Sequence, residues 1–101
     1  ALDSINLANK AGDLVCGLDK VKEKLAKNQV AFLLQATNAG DDGKNKIQSA
    51  AKDIKILTLF SSEELDKALN KTNTVHLAIL KGPMSQNVYD QLQKWQDFIN
   101  S

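Results

Sequence analysis

A chain of 101 residues with 43% hydrophobic and 25% charged side chains is expected to fold as one globular domain, over residues 1–101. Its net charge of +1 is too mild to mark a nucleic-acid binder by charge alone. No stretch approaches the roughly 20 apolar residues of a membrane span, and no basic-then-apolar secretory signal opens the chain.

The spacing of Leu2, Ile5, Ala8 and Ala11 predicts a first helix stopped by Gly12. Leu14, Val15 and Cys16 read as a short strand. Leu18, Val21 and Leu25 give a second helix its buried face, with Lys20, Lys22, Glu23, Lys24 and Lys27 outward and Asn28 at its end. The apolar run 30–34 has the look of a strand covered on both faces, hence one in mid-sheet. After a polar turn cluster at 37–43, Ile47, Ala50, Ala51 and Ile54 predict a third helix, with Asp41 and Asp42 as caps. A strand is expected over 55–60. Ser61 and Glu64 spell a capping box for a fourth helix burying Leu65, Ala68 and Leu69. A polar connection at 70–73 leads to a last strand over 75–80, broken by Gly82 and Pro83. Met84, Val88, Leu92, Trp95 and Ile99 then mark the stripe of a closing helix. Five helices alternating with four strands predict an α/β fold: a three-layer α-β-α sandwich around a four-stranded sheet.

Catalytic chemistry finds little support. His76 is the lone histidine, on an apolar strand, and reads as a packed residue; Cys16 has no histidine beside it in sequence and reads as core. Together they do not make a metal site. Residues 38–44 lack the spacing of a phosphate-binding loop, with Asn45 after Lys44. Trp95 falls on the buried stripe, so core packing is expected of it rather than stacking on a base. No catalytic residue, metal or cofactor is expected. The lone cysteine forms no internal disulfide and suits a reduced, cytoplasmic setting.

The junction at Gly17 is the exception. There an apolar strand stops and a lysine-rich helix begins, exposing unpaired N–H groups and the positive end of the helix dipole beside Lys20 and Lys24. Such a start can receive a phosphate oxygen. All 13 basic side chains are lysines, which neutralise phosphate but lack arginine's two-pronged fork.

The element order, with the strings at 11–17, 30–36 and 62–69, resembles the kink-turn-binding ribosomal protein superfamily (the L-seven-Ae and L-thirty-e group) in a bacterial version. More narrowly, 12–17 and 41–44 resemble the C-terminal domain of YlxR-type proteins of α-proteobacteria. The resemblance implies a non-catalytic module, a monomer, that binds structured RNA and is linked to transcription termination or the ribosome. It places RNA contacts at the start of the second helix (Gly17, Leu18, Asp19, Lys20, Val21, with Lys24) and in the connection before the last strand (Lys71, Thr72, Asn73, Thr74). Kink-turn binders carry Asn-Glu near that helix start and a lysine farther on. This chain has Asp19-Lys20 and Glu23 instead, and Lys20 can only donate. A differently specific RNA contact is therefore expected, or a protein-interaction domain of the same fold. The first residue is not methionine, which suits a piece of a longer protein.

Overall fold

The computed structural model describes residues 2–100, with side chains as far as Phe98. Nine elements alternate along the chain: α1 (Leu2–Lys10), β1 (Leu14–Cys16), α2 (Leu18–Ala26), β2 (Val30–Gln35), α3 (Asp41–Ala51), β3 (Ile56–Leu57), α4 (Ser62–Leu69), β4 (His76–Leu80) and α5 (Ser85–Asn100). The sheet order is β1-β4-β2-β3. β4 runs antiparallel to both β1 and β2, and β3 runs parallel to β2. The strands β1, β2 and β3 therefore point one way. Their C-terminal ends share one edge of the sheet with the N-terminal end of β4.

Alternation along the strands builds two cores, one on each face. Phe32, Leu34, Leu77 and Ile79 pack with Ile5 and Ala8 of α1, Leu65 and Leu69 of α4, and Val88 and Leu92 of α5. Leu33 and Ala78 face the other way, against Val21 of α2 and Ile47 and Ala51 of α3. These are the three layers expected. A register shift between Val30 and Phe32 puts Ala31 and Phe32 on the same face, the effect of a bulge. Each fully buried Leu, Ile or Phe contributes about 1.5–3 kcal/mol.

Local stops match their residue types. Gly12 and Asn28 follow α1 and α2 with φ of 79° and 56°. Ser61 and Glu64 form the reciprocal capping box at α4. At α3 the cap is Gly40, with no side-chain cap; Asp41 and Asp42 lie in the first turn instead.

Other expectations change as well: α3 ends at Ala51, short of Ile54. The strand expected over 55–60 pairs only at Ile56 and Leu57, because β3 is an edge strand with β2 as its one neighbour. Beyond it, Thr37 N–H still reaches the Phe60 carbonyl at 2.9 Å. Trp95 is 38% exposed and stacks on Phe98, ring centroids 5.7 Å apart, rather than lying in the core. The 16-residue α5 is about 24 Å long, whereas the nine-residue α1 beside it spans about 14 Å, so the stripe outruns what it packs on. Ile99, also expected on the stripe, lies outside the described side chains. Tyr89 is half-buried and meets Phe32 edge-on at 5.2 Å.

Candidate nucleic-acid interface

Gly17 closes β1 and caps α2. Its φ of 99° and ψ of 145° belong to a region open to glycine and strained for other residues. Its N–H donates to the His76 carbonyl at 3.0 Å, and its own carbonyl accepts from Val21 N–H at 3.0 Å. No side chain caps α2, so the N–H groups of its first turn remain available to an external acceptor.

The facing wall is the connection from α4 to β4. Asn70 and Asn73 take positive φ, 55° and 57°, which asparagine tolerates better than most residues. Asp66 of α4 fixes the loop between them. Its carboxylate accepts Thr74 N–H at 2.7 Å and Asn73 N–H at 3.1 Å. The Thr74 hydroxyl beside it and these N–H groups hold the Asp66 carboxyl below its ordinary range, against a smaller opposing push from burial. The loop is thus tied down at its base, and Lys71 and Thr72 project from it exposed.

Between the two walls lies a shallow cleft of about 350 Å³, lined by Cys16, Gly17, Lys71, Thr72, Asn73 and Thr74. Burial pushes the Cys16 thiol up, and the positive charges of Lys71 and Lys20 pull the other way. Lys71 lines the cleft, and Lys20, exposed in the first turn of α2, follows the cleft's Gly17 by three residues.

The other expected site residues divide. Leu18 is half-buried, Asp19 is exposed, and Lys24 is half-buried one turn farther along α2. Val21 is fully buried against Val30 and Leu33, so its side chain packs the helix and does not reach the surface. Thr74 is also buried, its N–H committed to Asp66. Glu23 pairs with Lys27 at 3.0 Å, and that bond holds its carboxyl below the ordinary range.

Two residues not singled out from sequence, Asp66 and Gly43, shape the site, together with the backbone of His76, a residue read from sequence as packed. The only sequence signal for Asp66 is its position four residues before Asn70, seven before Asn73. His76 is buried, and burial lowers its imidazole pKa. Its ring lies so close to α3 that a Cβ on Gly43 would sit 2.7 Å from Nε2. A larger hollow of about 540 Å³ lies at the opposite ends of α2 and α3, lined by Leu25, Val30, Ala50 and Ile54 with Lys22 and Lys52. Asn28 and Asp53 also line it. Among the described residues, no group of His, Cys, Asp and Glu could hold a metal ion, and no helix is long and apolar enough to cross a membrane.

Two solved structures share this fold. A protein of unknown function from Bacillus halodurans matches with a TM-score of 0.80 at 21% identity, over 88% of this chain and 92% of that one. A 15.5 kD RNA-binding protein of Giardia lamblia matches with a TM-score of 0.72 at 17% identity, over 89% of this chain and 78% of its own. No family model matches the chain, and no curated protein does. At these identities the likeness establishes the architecture.

Proposed function

We propose that this chain is a non-catalytic RNA-binding domain that receives a phosphate backbone in the cleft between the start of α2 and the 71–74 loop. The observation that carries the reading is the cleft itself, in which Lys71 and Thr72 face Gly17 and the uncapped start of α2. The fold it shares with an RNA-binding protein of Giardia lamblia supports it. A helix N-terminus supplies directed N–H donors, and the lysines supply charge without arginine's base-reading fork. Phosphate and shape, more than base edges, are what such a surface reads. The finer reading follows the family resemblance: a monomer in a bacterial cytoplasm, acting on bent RNA in the ribosome or in transcription termination. Asp19 is an exposed acceptor at the helix start and can take a hydrogen bond from a base edge.

The test is direct binding of the domain to a bent-helix RNA at about 50 and 200 mM salt. Affinity should fall with salt. Lys20→Glu and Lys71→Glu should each weaken binding and reduce the salt slope by about one. Absence of binding at the lower salt overturns the reading. The exposed Lys20 standing where kink-turn binders carry glutamate then favours a protein-interaction domain of the same fold, and shifts at Lys71–Thr74 on adding a protein partner would identify it.

A further inference from the structure

The hollow at the far ends of α2 and α3 stands apart from the cleft. Its volume of about 540 Å³ falls within the range of small-molecule sites. Leu25 and Ala26 of α2, Ala50 and Ala51 of α3, and Val30 and Ile54 give it an apolar lining. Val30 and Ala51 are core residues, 1% and 3% exposed, so the hollow reaches down to the packed layer beneath the two helices. Both walls are fixed without a ligand. The N–H groups of Lys27, Asn28 and Gln29 take the carbonyls of Glu23, Leu25 and Lys24 at the end of α2, and Ile54 N–H takes that of Ala51 at the end of α3. Asn28 Oδ1 accepts from Lys81 Nζ at 3.2 Å, which leaves the amide hydrogens of Asn28 to donate.

Charge selects the occupant. Lys22 of α2 and Lys52, the residue that ends α3, both line the hollow and are exposed. Lys27 and Lys46 are each paired with a carboxylate one turn back, Glu23 and Asp42, whereas Lys22 and Lys52 have no such partner among the described ion pairs. Asp53 is the one carboxylate of the lining, against two ammonium groups, so the hollow is net positive. Lys52 also holds φ of 55° and ψ of −108°, a conformation strained for a residue with a Cβ. Glycine would relieve that strain at a helix end, yet a lysine stands there. We infer that the hollow is a binding site for a small organic anion: a carboxylate, sulfonate or phosphate carried on an aromatic or aliphatic body. The body covers Leu25, Ala50 and Ile54, which are otherwise only half-buried. The anion meets Lys22 and Lys52, with Asn28 as a neutral donor. Nothing in this assignment depends on RNA, since the hollow lies at the other end of α2 from Gly17.

The test titrates the whole chain, followed by its amide chemical shifts, with three probes of one shape and different charge: naphthalenesulfonate, naphthalenemethanol and naphthylmethylammonium. The sulfonate should bind tightest and the ammonium weakest, with shifts gathered at Leu25, Ala26, Ala50, Ala51 and Ile54. Lys22→Gln and Lys52→Gln change exposed side chains; each should weaken the sulfonate about two- to fivefold and leave the alcohol within about 1.5-fold. Ala50→Leu fills the hollow and should exclude the naphthalene body, so that none of the three probes binds there. A thermal melt verifies that this variant is folded, and if it is not, the two lysine variants decide. Equal affinities for the three probes, or shifts centred on another surface such as Trp95 and Phe98, overturn the assignment. So does the absence of sulfonate binding at millimolar concentration.

Discussion

Gly17 and His76 are joined by a 3.0 Å hydrogen bond from the glycine N–H to the histidine carbonyl, and the same histidine ring fills the space beside Gly43. One residue of β4 therefore sets the start of α2 and rests on the start of α3. Replacing Gly43 by alanine sets two effects against each other. Helix propensity favours alanine by about 1 kcal/mol. A Cβ 2.7 Å from a buried ring forces the ring or the helix to move, and overpacking costs about 1–3 kcal/mol. Gly43→Ala should therefore lower stability, and pairing it with His76→Ala should recover part of the loss. A double-mutant cycle by chemical denaturation measures the coupling; a stabilising Gly43→Ala would contradict the packing argument.

The same burial gives a pH dependence. His76 is held below its ordinary pKa of about 6.5 by desolvation. The unfolded chain then takes up a proton at a pH where the folded one does not. Stability should be fully present above about pH 6.5 and decline as the pH falls through that value toward the folded pKa. Asp66 also has a lowered pKa, but its contribution is lost only on further acidification, below the ordinary carboxylate range near 4. Melting temperatures between pH 5 and 8 should slope upward in the native chain and flatten in His76→Gln. An unchanged slope in that variant assigns the effect to another group.

Gly17 tests backbone strain free of packing. A Cβ there would meet nothing within 4 Å, so any cost of Gly17→Ala comes from φ of 99° alone. We expect a loss of about 1–3 kcal/mol, read by denaturant midpoint. Ser61→Ala, which removes half of the capping box at α4, should cost about 1 kcal/mol and leave RNA affinity unchanged. A neutral Gly17→Ala would mean the junction relaxes at no cost.

Periodicity made the element order and both helical layers legible, because each core face repeats at 3.6 or 2 residues. Val30 to Leu34 reads as mid-sheet since its apolar residues serve two cores, and it lies there. The position of β4 between β1 and β2, antiparallel to both, was not legible; strand order depends on contacts between residues such as Val15 and Ala78, distant in sequence. Trp95 kept the helical period past the length of α1, the helix beside α5, so a pattern correct for the helix misjudged its burial. The cleft was half legible. The Gly17 junction announces itself through glycine and lysine, whereas Asp66 looks like any solvated helix residue until the loop folds back over it.

Asp66 offers a test in which charge and geometry predict opposite signs. Removing a carboxylate near the cleft proposed to receive phosphate should, by charge alone, strengthen RNA binding. Asp66, however, accepts the N–H groups of Asn73 and Thr74, and its loss leaves the base of the 71–74 loop without those bonds. Hydrogen bonds to a charged acceptor are stronger than neutral ones, and exposure to solvent weakens them. Asp66→Ala should therefore lower the melting temperature, and it should weaken RNA binding although it removes a negative charge. Asp66→Asn, which keeps one acceptor oxygen, should fall between. Titration of a bent-helix RNA against the three proteins at fixed salt decides the matter: tighter binding by Asp66→Ala would mean that the loop does not depend on its anchor and that Lys71 acts through charge alone.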